Sequence, residues 1–324
     1  MEVWHDTLES APRRGHHVVT LGTFDGVHAG HRELLRAAAE SAAAQGLPAA
    51  VVTFDPHPAV VVAPHRKPKL LMTLAQRLAA FQACGMDLAW VIPFSRAFSE
   101  LLPGTFLEGL ARALPPAEVH VGKAFVFGRD RQGDVGTLLS WGAARGCRIV
   151  AHALRASDGH HLSSTRIRLA LDKGDVNEAA ILLGRPYVLT GVVVEGERRG
   201  RHLGFPTANL RWEQEQLPAR GVYVTVVRGR QLEGLHPALT NIGDKPTFRG
   251  QELTVESHLP GFQGDLYGAE LEVAFLHRLR NEQRFSSVDE LRARISRDVA
   301  EGLAWWEDHR RREAGPWLDD APPL

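Results

Sequence analysis

The chain is poor in cysteine, in net charge and in long apolar runs, and each shortage excludes a class of protein. Two cysteines, Cys84 and Cys147, in 324 residues cannot build a disulfide framework and suit a reducing compartment. Neither has a partner at ligand spacing, so no cysteine-based zinc site is written into the sequence. Lysine plus arginine equals aspartate plus glutamate at 38 each. That balance offers no basic surplus for nucleic acid and no acidic excess of the kind that keeps a chain disordered. No uninterrupted apolar stretch approaches the ~18 residues of a membrane helix, and the start Met1-Glu2-Val3-Trp4-His5-Asp6 is too charged for a signal peptide. Internal repeats and long low-complexity tracts are also missing. The expectation is a cytoplasmic protein acting on small molecules, with no nucleic-acid or membrane partner and an oligomeric state left open. Its length suggests two domains.

What is present is concentrated in the run Gly22-Thr23-Phe24-Asp25-Gly26-Val27-His28-Ala29-Gly30-His31. It follows the apolar stretch Val18 to Leu21 and leads into a helical pattern from Gly30 to Gln45, so it sits where a buried strand hands over to a helix. The first free N–H groups of a helix carry the positive end of its dipole, and imidazoles one turn apart, His28 and His31, add donors on the same face. Gly22, Gly26 and Gly30 let a phosphate approach the backbone. Two other readings stand beside this one. The histidines could ligate a metal, although a zinc site needs further ligands, or they could be purely structural. With the whole string taken together, the chain resembles the HxGH nucleotidyltransferase superfamily, in which the two histidines hold a nucleotide triphosphate.

To about residue 184, strands and helices alternate. Ala49 to Phe54 reads as a second buried strand, and Thr73-Leu74-Ala75-Gln76 as a capping box opening a helix to Gly85. Leu88 to Ile92, Val119 to Val121 and Arg148 to Ala151 read as further strands, with helices near 105–113 and 136–145. This order implies an α/β doubly wound parallel sheet with ligands at its carboxyl ends. There the second strand empties into Phe54-Asp55-Pro56-His57-Pro58, a loop that is either punctuation or a holder of the acid Asp55 and the imidazole His57. Leu162 to Arg168 opens another helix. Ser164 and Thr165 are ordinary N-cap residues as well as candidate phosphate donors, while Arg166 and Arg168 suit a pyrophosphate.

After Gly184 the texture changes to short β-branched runs, Val188 to Val194, Gly221 to Val227 and Leu271 to Leu276, separated by Gly- and Pro-containing turns. This predicts an antiparallel barrel or sandwich. A terminal helix from about Phe285 past Trp306 carries a docking stripe at Leu291, Ile295, Val299 and Leu303, and the last ten residues read as loose. Within the barrel, Gly200 to Leu210 combines a basic Gly-containing loop (Gly200, Arg201) with Thr207 and Asn209 on alternate positions, oxygen donors suited to Mg²⁺ carrying ATP phosphates. Glu256 stands in a strand-like run, as an edge residue or as a functional acid.

Over nearly its whole length the chain resembles the bacterial bifunctional riboflavin kinase/FAD synthetases. Residues 22–31, 54–58 and 163–168 match their adenylyltransferase part, and residues 200–210, 241–248, 254–259, 265–268 and 279–285 match their kinase part. The resemblance implies an adenylyltransferase domain at 1–184 and a riboflavin kinase barrel at 185–324. It implies ATP, riboflavin and FMN as substrates and Mg²⁺ as cofactor, held by Thr207 and Asn209. Glu256 becomes the kinase's general base, and His28 and His31 the adenylyl-transfer residues. Gly22, Phe24, Asp25, Gly30, His57, Ser164, Thr165, Arg168, Gly200 and Arg201 become nucleotide contacts, and Asp55, Phe125, Phe127 and Arg280 flavin contacts. One departure stands out. In Val121-Gly122-Lys123-Ala124-Phe125-Val126-Phe127-Gly128, relatives usually carry Asp or Asn where this chain has Ala124. Two rivals remain at this level, a kinase that has lost adenylyl transfer and a non-enzymatic flavin-responsive regulator.

Overall fold

Six apolar runs form one parallel sheet: β1 (Glu2–Trp4), β2 (His17–Leu21), β3 (Ala49–Asp55), β4 (Leu88–Pro93), β5 (Pro116–Gly122) and β6 (Arg148–His152). The computed structural model describes residues 1–153, 162–197, 199–247 and 250–313. Every residue of β2 is buried, as expected for a strand covered on both faces. Val18 packs with Leu34 and Leu35 of α1 (Ala29–Gln45) and Phe81 of α3 (Leu74–Ala83), α2 being the short Pro58–Val62. Val19, on the opposite face, packs with Leu107 and Leu110 of α5 (Pro103–Ala113) and Leu138 of α6 (Val135–Ala143), α4 being Arg96–Ser99. The expected capping box at Thr73 and Gln76 is formed. The short elements β1, α2 and α4 carry too little periodicity to be read from sequence.

Strand order is β1-β4-β3-β2-β5-β6. The chain leaves β2 towards β3 and β4, then returns to place β5 and β6 on its other side. The direction reverses between β2 and β5, and in open α/β sheets the ligand crevice lies outside the carboxyl ends of the strands at that point. The residue 22–31 run occupies it.

The chain divides into compact units at Ser163/Ser164. The second unit therefore begins with α7 (Ser164–Lys173) and α8 (Val176–Leu183), which the alternation pattern groups with the first half. Their side chains belong with the barrel: α8 packs on β12 and β7, and Gln216 donates to Asp172 of α7 at 2.9 Å. The barrel comprises β7 (Tyr187–Val194), β8 (Thr207–Trp212), β9 (Gly221–Gly229), β10 (His236–Thr247), β11 (Gly250–His258) and β12 (Glu270–Arg280), closed in the order β10-β11-β8-β7-β12-β9 with antiparallel neighbours. A short helix, α9 (Arg199–Leu203), bridges β7 and β8.

The terminal helix α10 (Val288–Glu313) docks more broadly than its apolar stripe suggests. Leu291, Ile295, Val299 and Leu303 are half-buried, while Asp298, Gly302 and Trp306, one position round, are buried. A Cβ at Gly302 would overlap Leu239 of β10, so glycine lets the helix lie close against the barrel. The expectation of a loose tail falls on residues 315–324, outside the described part of the chain.

Candidate active sites

The turn from β2 into α1 is built from unusual backbone. Phe24 (φ 51°), Gly26 (φ 88°) and Val27 (φ 37°) all have positive φ, and for a β-branched residue such as Val27 this is a true outlier, of the kind that clusters at functional sites. Val27 N–H donates to Phe24 O at 3.2 Å, closing the turn. His28 then caps α1, its Nδ1 accepting from His31 N–H at 3.2 Å, which fixes His28 as the Nε2–H tautomer. The two imidazoles stack with centroids 3.6 Å apart, and Phe24 meets His31 edge-on. His31 Nδ1 is buried and, among the described residues, has no hydrogen-bond partner. Burial first, and the stacked His28 second, hold His31 well below the usual imidazole value. A neutral pair at a helix N-terminus is ready to receive an anion.

Neighbouring candidates take different places. Gly30 is buried in the first turn of α1, and a Cβ at Gly22 would meet the Phe24 ring at 3.0 Å. The Asp25 carboxylate is turned inward and accepts from Leu71 N–H (3.0 Å) and Met72 N–H (3.2 Å), so it positions the loop before α3. His57 caps α2 by accepting from Ala59 N–H at 3.1 Å. Asp55 is half-exposed and pairs with Arg77 at 3.3 Å.

Arg77 escapes sequence reasoning because a charge on an amphipathic helix ordinarily faces solvent. Here it is buried, and its Nη1 donates to Thr23 O (3.0 Å), Thr53 Oγ1 (3.2 Å) and Phe54 O (3.2 Å). It ties the ends of β2 and β3 together beneath the turn. A second set is aromatic and extends the expected Phe125 and Phe127 by residues that sequence reasoning did not assign to the flavin. Phe54, Phe94, Phe98, Phe106, Phe127 and Phe125 form a continuous series with successive centroids 5.3–6.1 Å apart at the closest links. Phe94, Phe98 and Phe125 are only half-buried, and Ala124 beside them is exposed. Such a wall suits a flat aromatic ligand.

In the second unit, Ser164 and Thr165 begin α7, Arg166 pairs with Glu178 of α8 at 2.5 Å, and both Arg166 and Arg168 are half-buried. On the barrel, Glu256 of β11 stands between Asn209 of β8 and Asn241 of β10 in register. Thr207 Oγ1 donates to Glu256 Oε2 at 3.3 Å. The adjacent Ser257 points the opposite way and is fully buried against Thr240 (2.8 Å), so alternation puts Glu256 on the other face. Glycines crowd this row. A Cβ at Gly196 would lie 2.5 Å from the Asn209 side chain, and one at Gly200 would meet Phe205 O and approach Thr207 Oγ1 to 3.5 Å. Arg201 is exposed on α9. Arg280 is engaged by the buried Asp298 of α10, with its Nε and Nη2 both donating (2.7–3.0 Å), and lies over Phe285.

Four histidines of the first unit, His17, His31, His120 and His152, are held below the ordinary imidazole value, in each case by burial first. The unfolded chain therefore binds more protons than the folded one once the pH falls below about 6.5, and stability must drop in that range. Melting of the full chain followed by circular dichroism should show the first unit losing thermal stability steadily from about pH 7 to pH 5. A melting temperature that is flat across that window contradicts the reading.

The stacked-histidine turn on the α/β unit and the Thr207–Glu256–Asn209 row on the closed barrel give the chain two candidate sites, one in each unit. A family model described as riboflavin kinase matches residues 183–306, and one described as FAD synthetase matches residues 10–166. The bifunctional riboflavin kinase/FMN adenylyltransferase of Escherichia coli (strain K12) is 38% identical over 292 residues, covering 90% of this chain and 93% of that protein. That of Bacillus subtilis (strain 168) is 34% identical over 300 residues, covering 91% and 94%. The chain belongs to the bifunctional riboflavin kinase/FMN adenylyltransferase family. A solved Streptococcus pneumoniae structure described as a macrolide-efflux protein is also similar, with 31% identity and a TM-score of 0.84 over 94% of this chain and 100% of that one. No helix among the described residues is long and apolar enough to cross a membrane.

Proposed function

We propose that this chain phosphorylates riboflavin with ATP at the barrel and adenylylates the resulting FMN with a second ATP at the α/β unit, in the cytoplasm, with the functional boundary near residue 184. The observation that carries the reading is the presence in one chain of the stacked His28–His31 cap at the sheet's reversal point and the Thr207–Glu256–Asn209 row on the barrel.

At the barrel, Glu256 takes the proton of the riboflavin 5′-hydroxyl as its oxygen attacks the γ-phosphorus, and ADP leaves. Thr207 and Asn209 offer hard neutral oxygens beside a carboxylate, a donor set that fits Mg²⁺, which binds few protein groups and keeps waters and phosphates as its other ligands. When bound, the ion neutralises phosphate charge. Gly200 and Arg201 line the phosphates, and Arg280, set by Asp298, borders the flavin.

At the α/β unit, an FMN phosphate oxygen attacks the α-phosphorus of ATP, the bond to the β-phosphate oxygen breaks, and pyrophosphate leaves. No protein nucleophile is required. His28 and His31 supply donors to the developing charge. Phe125 and Phe127, extended by Phe94 and Phe98, bind the flavin beside Asp55.

The purified chain given riboflavin, ATP and Mg²⁺ should yield FMN and then FAD on chromatography, and a chelator should stop both steps. FMN as the sole product at any incubation time sinks the bifunctional reading in favour of a kinase. At the exposed Ala124, one polar contact is missing, worth about a few-fold to tenfold in substrate binding. Ala124→Asn should therefore lower the FMN Michaelis constant of adenylyl transfer by about that factor and leave the kinase untouched. A gain from no activity to full activity would instead mean that the native site is defunct.

A further inference from the structure

Away from the His28–His31 pair, a connected set of titratable side chains lies on the sheet face that α1 covers. Glu118 Oε1 is 2.7 Å from His120 Nε2, and His120 Nδ1 is 2.9 Å from His152 Nε2. Glu118 and His120 are each 3% exposed. The second carboxylate oxygen of Glu118 accepts from Ser41 Oγ (3.0 Å) and Gln45 Nε2 (2.9 Å) of α1 and from Arg148 Nη1 (3.5 Å). A buried carboxylate tied to two imidazoles in series needs a reason, and packing alone is not one.

The direction of each bond follows from the charge on Glu118. Burial by itself would raise this carboxyl, but hydrogen bonds from Ser41 and His120, with the charges of His120 and Arg148, bring it below the ordinary carboxylate value. Ionised, it can only accept. His120 therefore donates from Nε2, its Nδ1 lone pair accepts the Nε2–H of His152, and His152 keeps an acceptor at Nδ1. No described group hydrogen-bonds that atom.

The strand register carries this relay towards the ligand end of the sheet. Thr20 of β2 pairs with His120, and Gly122 pairs with His152, the last residue of β6. Two residues beyond Thr20 is Gly22. Gly22, Gly122 and His152 thus stand in one row across three neighbouring strand ends, about 10 Å from first to last at normal strand spacing. Glu33, two residues past His31 on α1, is near enough to favour a charge on His152. The row starts at the phosphate turn and ends at an imidazole.

We propose that His152 is a further substrate-anion residue of the first unit. As ligand arrives, His152 Nδ1 takes a proton from solvent and donates it in a hydrogen bond to a phosphate oxygen of ATP or of FMN, and Glu118, acting through His120, stabilises the imidazolium. His152 would touch substrate, while His120 and Glu118 are positioning residues. The charged and titratable groups facing the relay are Glu118 and His120 on β5, Arg148 on β6, Cys147 just before β6 and Glu33 on α1. In the free chain, burial keeps both imidazoles neutral at neutral pH, so the charge comes with the ligand. The inference rests on adenylyl transfer at this unit.

Calorimetric titration of the full chain with ATP and, separately, with FMN, in buffers of different ionisation enthalpy at neutral pH, reads proton uptake directly. His152→Gln should remove up to about one proton of uptake for one of the two ligands and so identify which phosphate is held. The Michaelis constant of that substrate in adenylyl transfer should rise about ten- to a hundredfold, with riboflavin phosphorylation unchanged. Glu118→Gln keeps the packing and should weaken the same substrate at about pH 7.5, with recovery towards pH 6 as His152 protonates without its counter-charge. If His152→Gln fails to fold, this second variant decides. Unchanged proton uptake and Michaelis constants for both ligands, or a pH-independent loss in Glu118→Gln, overturn the proposal. A parent chain that makes no FAD overturns the adenylyl-transfer reading beneath it instead.

Discussion

Replacing His28 and His31 together by alanine should abolish FAD formation from FMN while riboflavin phosphorylation continues at the parent rate. The two rings stack at 3.6 Å over the first turn of α1, and His31 is kept neutral by burial and by its neighbour. Removing one preorganised donor to a developing oxyanion typically costs about 10²–10³-fold, and groups that act as a unit lose nearly everything when either is removed. His28 also caps the helix, and a lost cap costs about 1 kcal/mol, too little to unfold a unit with this much buried core. Flavin products separated by chromatography from one reaction give both rates at once, and circular dichroism verifies the fold. FAD formation within about tenfold of the parent would remove the pair from catalysis.

Glu256→Gln should have the mirror effect, slowing riboflavin phosphorylation by about 10²–10⁴-fold and sparing FAD synthesis from supplied FMN. Glutamine keeps the shape, and its amide can still meet Thr207, so what disappears is the proton acceptor. The pairing of Glu256 with Asn209 and Asn241 across three strands does not depend on its charge, so the row should survive. A kinase slowed less than tenfold would move the general base elsewhere, and a folded variant that lost both activities would make Glu256 more than a local group.

Much of this arrangement is legible in the amino-acid sequence, for identifiable reasons. The α1 helix announces itself through a polar, Gly-containing turn followed by periodic apolar positions, and the parallel sheet through uninterrupted apolar runs. Thr207 and Asn209 share a face because period-two alternation holds once the stretch is extended. What stays hidden depends on contacts distant in sequence. Arg77 looks like a surface charge until its guanidinium finds carbonyls from two other segments. The six phenylalanines come from strands, loops and helices whose neighbourhood no single window reveals. The inward turn of Asp25 depends on the backbone of Leu71 and Met72, more than forty residues later in the chain. The close docking of α10 depends on Gly302, which a hydrophobic pattern counts as a gap.

The shortest strand has a consequence of its own. A sheet edge exposes unpaired N–H and C=O groups that can recruit a strand from another molecule. β1 offers only three residues to such recruitment. Arg14 lies over Trp4 at 5.5 Å and pairs with Glu2 at 2.9 Å, so a charged clamp spans its side chains. The barrel, being closed, has no free edge at all. At β1 and around the barrel, the molecule thus gives a neighbouring chain little to copy, and the protection comes from a segment otherwise too slight to notice.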